Sequence, residues 1–130
     1  MFSNMRGLTF DDVILVPGYN GIKSRQNVTT SVNLLGRSFG IPLISSNMDT
    51  ITESEMANAI TDLGGMSILH RFVSIEDNVK MFHKVKHRDK VAISIGIGKD
   101  GIERADALIS AGASRSEEHT SELQSRLHLV

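Results

Sequence analysis

Cysteine is absent from the 130 residues. That excludes a disulfide framework, a thiolate nucleophile within this chain and any Cys-ligated zinc. Charge of one sign is also lacking: 14 Lys and Arg stand against 15 Asp and Glu, a net charge of −1. A general nucleic-acid binder normally carries a basic excess, so that class is not expected. No apolar run approaches the ~18 residues of a membrane span, and Met1–Arg6 does not read as a signal peptide. What is present is 40% hydrophobic and 22% charged residues, the balance of a soluble, folding chain. The expectation is a cytoplasmic α/β domain with no membrane partner.

Three strand-then-helix units run in series. Ile41-Pro-Leu-Ile-Ser-Ser reads as a short buried strand. Thr52 is the expected N-cap of the helix that follows, with Glu55 completing a capping box. Met56, Ala59, Ile60 and Leu63 fall at helical spacing, and Gly64-Gly65 supplies the stop. Met66-Ser-Ile-Leu-His is a second strand, and Ser74 with Asp77 opens a second helix with Ile75, Val79, Phe82 and Val85 on its buried stripe. Val91 to Ile97 is a third strand, and Ile102, Ala105, Leu108 and Ile109 mark a helix ended by Gly112. The period of about 25 residues suits a βα module. Continuous apolar strands indicate a parallel sheet, which a (β/α)8 barrel and an open doubly wound sheet both satisfy. Leu8–Val16 and Asn27–Leu35 read as strands around Pro17–Gly21. Such an N-terminal hairpin would seal the bottom of a barrel and favours that fold.

The pattern changes after Ser114. Residues 115–130 lose the glycine punctuation and the apolar periodicity, and Arg115–Ser125 resembles the in-frame translation of a short sequencing adapter. The expected division is therefore 1–114 as a partial barrel and 115–130 as a non-native tail that does not pack against the rest. Without that tail the chain has 12 basic and 12 acidic residues, a net charge of zero.

In a barrel, chemistry gathers where strands end and helices begin. Ser45-Ser-Asn-Met-Asp-Thr50 is dense in hydrogen-bonding groups, although Asp49 and Thr50 also suit helix capping and Asn47 a loop-backbone role. His70 reads as a partly buried histidine bonded to backbone. Arg71, at a strand's C-terminal end, suits either a bidentate clamp on phosphate or carboxylate or a surface salt bridge. Lys23-Ser24-Arg25 suits a phosphate or a solvated turn. Gly96-Ile97-Gly98 lacks the third glycine of a dinucleotide fingerprint. His83 and His87 share a helix without a third metal ligand, so no metal site is expected. No serine sits in a nucleophile elbow.

Leu8-Thr-Phe-Asp-Asp-Val-Ile-Leu-Val-Pro, Lys23-Ser24-Arg25, Asn47-Met48-Asp49-Thr50 and His70-Arg71-Phe72 resemble, as an ordered set, the IMP dehydrogenase/GMP reductase family. The resemblance spans residues 7–114. It implies the N-terminal part of a TIM (β/α)8 barrel that takes a purine mononucleotide (GMP or IMP) and a nicotinamide dinucleotide at its C-terminal face. Lys23-Ser24-Arg25, Asn47 and the direct run from Val85 into Val91 resemble the reductase branch; Thr52-Glu53 and Gly64-Gly65 look more like the dehydrogenase. By this resemblance Ser24, Arg25 and Arg71 would contact NADP(H), and Ser46, Asn47 and Met48 the purine nucleotide.

The implied reaction is NADPH-dependent reductive deamination of GMP to IMP and ammonia, through a cysteine that attacks the purine C2. The alternative is NAD-dependent oxidation of IMP to XMP. The resemblance also implies a homotetramer and a monovalent cation, K+, whose site belongs to later units. Having no cysteine and three of eight units, the chain departs from the family, and it is expected to be inactive alone. A non-catalytic nucleotide-binding barrel fragment and an unrelated phosphosugar barrel enzyme are the remaining readings.

Overall fold

A computed structural model describes residues 7–9, 11–119 and 125–129. Met1–Arg6, Phe10, residues 120–124 and Val130 lie outside the described residues. So, therefore, do part of the first expected strand and Leu123 of the tail.

The first regular elements are β1 (Val32–Leu34) and β2 (Arg37–Phe39), an antiparallel pair. Leu35 and Gly36 between them have φ of 51° and 73°. Two positive φ values in a two-residue connection match the right-handed twist of the strands it joins. A hairpin thus exists, but not between the segments that the apolar pattern suggested. Residues 11–31 contain no strand, and their one regular element is a 3₁₀ turn at Arg25–Asn27. Ile14, Leu15, Val16 and Tyr19 of that segment are almost wholly exposed. The run had strand-like composition but pairs with no strand among the described residues, and composition alone does not make a strand.

The βα units follow: β3 (Ile44–Ser45), α1 (Ser54–Asp62), β4 (Met66–Leu69), α2 (Ile75–His83), β5 (Val91–Ile95) and α3 (Gly98–Ser110). Then come β6 (Arg115–His119) and β7 (Ser125–Leu129). One sheet runs β3-β4-β5-β6-β7, parallel from β3 to β6, with β7 antiparallel at its edge. Successive residues of β4 and β5 face opposite sides, and both sides are covered. Leu69, Val91 and Ile93 pack under Ala57, Phe82 and Leu108 of the three helices. On the other side Phe39 of the hairpin packs on Met66 and Ala92, near the N-terminal ends of β4 and β5. That is the bottom seal, built by residues 32–39.

Local chemistry explains the helices and corrects two details. Ser74 Oγ accepts from Asp77 N at 3.1 Å and so caps α2. Thr52 is not the cap of α1. It is fully buried, and its hydroxyl donates to the Ser46 carbonyl, leaving Glu53 at the cap position with no side-chain cap bond. The inward faces also turn from those expected. Ala57 and Thr61 are buried on α1 while Met56 and Leu63 are exposed; Gly101, Arg104 and Leu108 are buried on α3 while Ile102 is exposed. On α3 the cause is close backbone approach: a Cβ on Gly101 would stand 1.8 Å from the Gly96 carbonyl oxygen, so only glycine lets this face turn inward.

The expectation that residues 115–130 stay apart fails for β6. Ser116, Glu117 and Glu118 pair with Ile93, Ser94 and Ile95, and Arg115 and Ser116 are buried. Arg115 Nη1 donates to the Asp89 carbonyl at 2.7 Å. Strand pairing satisfies backbone groups whatever the side chains are, and the open edge of β5 supplies those groups.

Candidate functional site

Parallel pairing brings the ends of β3, β4 and β5 to one side of the sheet, so the loops 46–53, 70–74 and 96–97 are neighbours. The first loop is tightly wound: Ile51 N and Thr52 N both donate to the Met48 carbonyl, at 3.2 and 3.3 Å. Thr50 sits at φ 59°, a left-handed conformation that a β-branched residue rarely adopts. Asn47 turns its amide across the sheet, and Nδ2 donates to Ser94 Oγ on β5 at 3.0 Å. Ser46 and Met48 are exposed beside it.

Arg71 projects from the end of β4 toward the end of β5. A Cβ on Gly96 would lie 3.3 Å from Arg71 Nη1, so the absence of a side chain at position 96 gives the guanidinium its place. The same guanidinium lies 5.2 Å from the Phe72 ring centroid, within cation–π range. Among the described residues it makes no hydrogen bond and no ion pair. A cation so placed, beside a hydrogen-bonding loop, is suited to an anionic ligand group.

Behind Arg71 stands a buried polar chain. His70 is wholly inaccessible. Its backbone N donates to Thr52 O at 3.4 Å, and its Nδ1 accepts from Phe72 N at 3.2 Å. Asn78 Nδ2 donates to His70 O at 3.1 Å, and Arg104 Nη1 donates to Asn78 Oδ1 at 3.1 Å. Arg104 Nη2 lies 3.7 Å from Asp100 Oδ2.

The sequence pointed to Arg71, Ser46, Asn47 and Met48, and the fold brings these to one end. Ser24 and Arg25 belong to the N-terminal segment. They lie on the exposed 3₁₀ turn, where Ser24 Oγ accepts from Gln26 N at 3.3 Å. No hydrogen bond or ion pair among the described residues joins them to the loops at 46–53 or 70–74. Ser94, Asn78 and Arg104 escaped the sequence analysis. Their signals were a serine within an apolar strand, and an asparagine and an arginine at core-facing spacing on amphipathic helices. No group of three or more His, Cys, Asp or Glu side chains able to hold a metal ion occurs among the described residues.

Parallel strands, outer helices, a hairpin over the strand starts and polar loops at the strand ends define the N-terminal part of a (β/α)8 barrel. The IMP dehydrogenase/GMP reductase domain matches residues 7–117. An inosine-5'-monophosphate dehydrogenase of Nitrosopumilus maritimus is 46% identical over 88 residues, 67% of this chain and 18% of that protein. A GMP reductase of Leishmania donovani is 43% identical over 88 residues, again 67% of this chain and 18% of the relative. The crystal structure of inosine 5' monophosphate dehydrogenase from Legionella pneumophila superposes with a TM-score of 0.76 at 47% identity, covering 84% of this chain and 34% of the other. The chain belongs to the IMP dehydrogenase/GMP reductase family, and it spans about a fifth of the length of the curated relatives it matches.

Proposed function

We propose that the chain forms the first part of the nucleotide-binding face of a purine-nucleotide oxidoreductase. In this reading it is of the reductase type, converting GMP to IMP and ammonia with NADPH. The observation that carries the reading is Arg71, a cation at the strand ends with no hydrogen-bonding or ionic partner among the described residues. It fits a phosphate-bearing cofactor, for which the guanidinium offers a planar pair of donors. Lys23-Ser24-Arg25 and Asn47 support the reductase type.

In this reading Arg71 holds the cofactor with help from Ser24 and Arg25, which must approach from the N-terminal segment. Ser46, Asn47 and Met48 line the purine nucleotide, and the bond from Asn47 to Ser94 fixes the loop that presents them. The nicotinamide, when bound, supplies the hydride. The covalent step implied for the family needs a cysteine. The 130 residues contain none, so this chain binds and orients without turnover. The complete enzyme is proposed to be a cytoplasmic homotetramer with a K+ site. Residues 115–130 are proposed to be foreign to it.

A second reading, NAD-dependent oxidation of IMP, is favoured by the names of the Nitrosopumilus relative and the Legionella structure and by Thr52-Glu53. Titrations of the chain with NADPH, NADH, GMP and IMP separate the two. The reductase reading predicts tighter binding of NADPH and GMP. Preference for NADH and IMP would shift the assignment to the dehydrogenase.

A further inference from the structure

His70 is bonded on every side but one. Its ring is fully buried, and Nδ1 is occupied as an acceptor by the Phe72 amide. A neutral imidazole whose Nδ1 accepts must carry its proton on Nε2. That Nε2–H has no hydrogen-bond partner among the described residues. Among the described residues the nearest carboxylate oxygen, Glu53 Oε1, is 3.9 Å away, too far for a hydrogen bond. Glu53 is 58% exposed at its side chain and stands at the cap position of α1, so closing the 3.9 Å separation would bring it onto the donor. A buried donor left without a partner is costly, which favours that closure.

The four groups of this one residue face different parts of the site. The backbone N reaches Thr52, which closes the loop bearing Ser46, Asn47 and Met48 through its own bond to the Ser46 carbonyl. Nδ1 holds Phe72, over which Arg71 lies. The carbonyl is held by Asn78, itself held by Arg104. Nε2 points toward Glu53.

We propose that His70 is a positioning residue that couples the two loops, so that a ligand on Arg71 is felt at Thr52 and Glu53 through the imidazole. This rests on the reading of Arg71 as a cofactor contact. Closure of Glu53 onto Nε2–H fixes the ring, the ring fixes the Phe72 amide, and the Arg71–Phe72 stack follows.

The test is an NMR titration of the 130-residue chain with NADPH. Shifts at the Arg71 and Phe72 amides are expected together with shifts at Thr52 and Glu53. In Glu53→Ala, which removes an exposed side chain and leaves the core intact, the Arg71 and Phe72 shifts persist while those at Thr52 shrink at least threefold. His70→Asn keeps an acceptor near the Nδ1 position and lacks the Nε2 donor, and it loses the transmitted shifts in the same way. Shifts confined to Arg71 and Phe72 in the parent, or full transmission in both variants, overturn the coupling and leave the cofactor reading standing. No shift at Arg71 and Phe72 overturns the cofactor reading and the coupling with it. The imidazole 15N spectrum of the free chain gives a ligand-independent check: the Nε2–H tautomer is expected at His70, and the Nδ1–H tautomer contradicts the proposal.

Discussion

Gly101 and Thr50 show at the scale of single residues how backbone geometry builds the site. Gly101 lets α3 press against the end of β5, which sets the ledge at Gly96 over which Arg71 lies. Gly101→Ala forces the helix away, because its Cβ would meet a carbonyl oxygen rather than a movable side chain. A loss of about 3 kcal/mol is expected in urea unfolding. Thr50, at φ 59°, carries strain in the loop that presents Met48. Thr50→Gly removes the Cβ conflict, and a gain of about 1 kcal/mol is expected in the same measurement. Neither position was legible in the sequence as a determinant of geometry. Gly101 carried no signal of its own and Thr50 suited a helix cap, since residue type alone shows neither the close approach of Gly101 to the Gly96 carbonyl nor a positive φ at Thr50.

Among the elements, α2 is the one whose start the sequence specified most fully. Ser74 and Asp77 bond reciprocally: Ser74 Oγ receives the Asp77 amide at 3.1 Å and donates to Asp77 Oδ2 at 2.7 Å. The bond from Ser74, followed by that from Lys80, lowers the Asp77 pKa below its ordinary 3.8. A carboxylate with a depressed folded pKa adds stability above its unfolded value, and that contribution is lost as pH falls through the folded value. Ser74→Ala is therefore expected to cost about 1 kcal/mol at neutral pH and to flatten the acid limb of a stability-against-pH curve below pH 3.8. An unchanged acid limb would contradict this assignment.

The other elements were legible unevenly. The order and period of the βα units were plain, because continuous apolar runs closed by glycine are local signals. The hairpin was displaced because Leu8–Val16 has strand composition without a partner, whereas Leu35-Gly36 makes a turn that its leucine conceals. The inward faces of α1 and α3 were misjudged for a related reason. Their exposed apolar residues, Met56, Leu63 and Ile102, have no covering element among the described residues. Hydrophobicity could not tell them from the buried face.

In the whole molecule, the sheet ends where β7 pairs antiparallel with β6, and β6 occupies the edge of β5. A chain ending at Ser114 would expose the backbone groups of β5 and uncover the region where Arg115 and Ser116 are buried. An unpaired edge of this kind associates with others. Size-exclusion chromatography is expected to find residues 1–114 more aggregated than the 130-residue chain, and equal behaviour would show that the β6 pairing contributes little. Turnover is not expected from either form, because no cysteine is present. Loss of NADPH absorbance with GMP, above a protein-free control, would require another nucleophile.

The candidate site was legible as residue types and order, while its geometry came from pairing. Asn47 and Ser94 are far apart in sequence, and so are Arg71 and Gly96; parallel register brings each pair together. The account depends on Arg71 being the cation that receives the cofactor. Calorimetric titration of NADPH into the 130-residue chain and its Arg71→Ala variant tests this most directly. Charge-assisted hydrogen bonds of the expected strength predict about tenfold weaker binding in the variant, with its melting transition little changed. Equal affinity for NADPH in parent and variant would contradict the account.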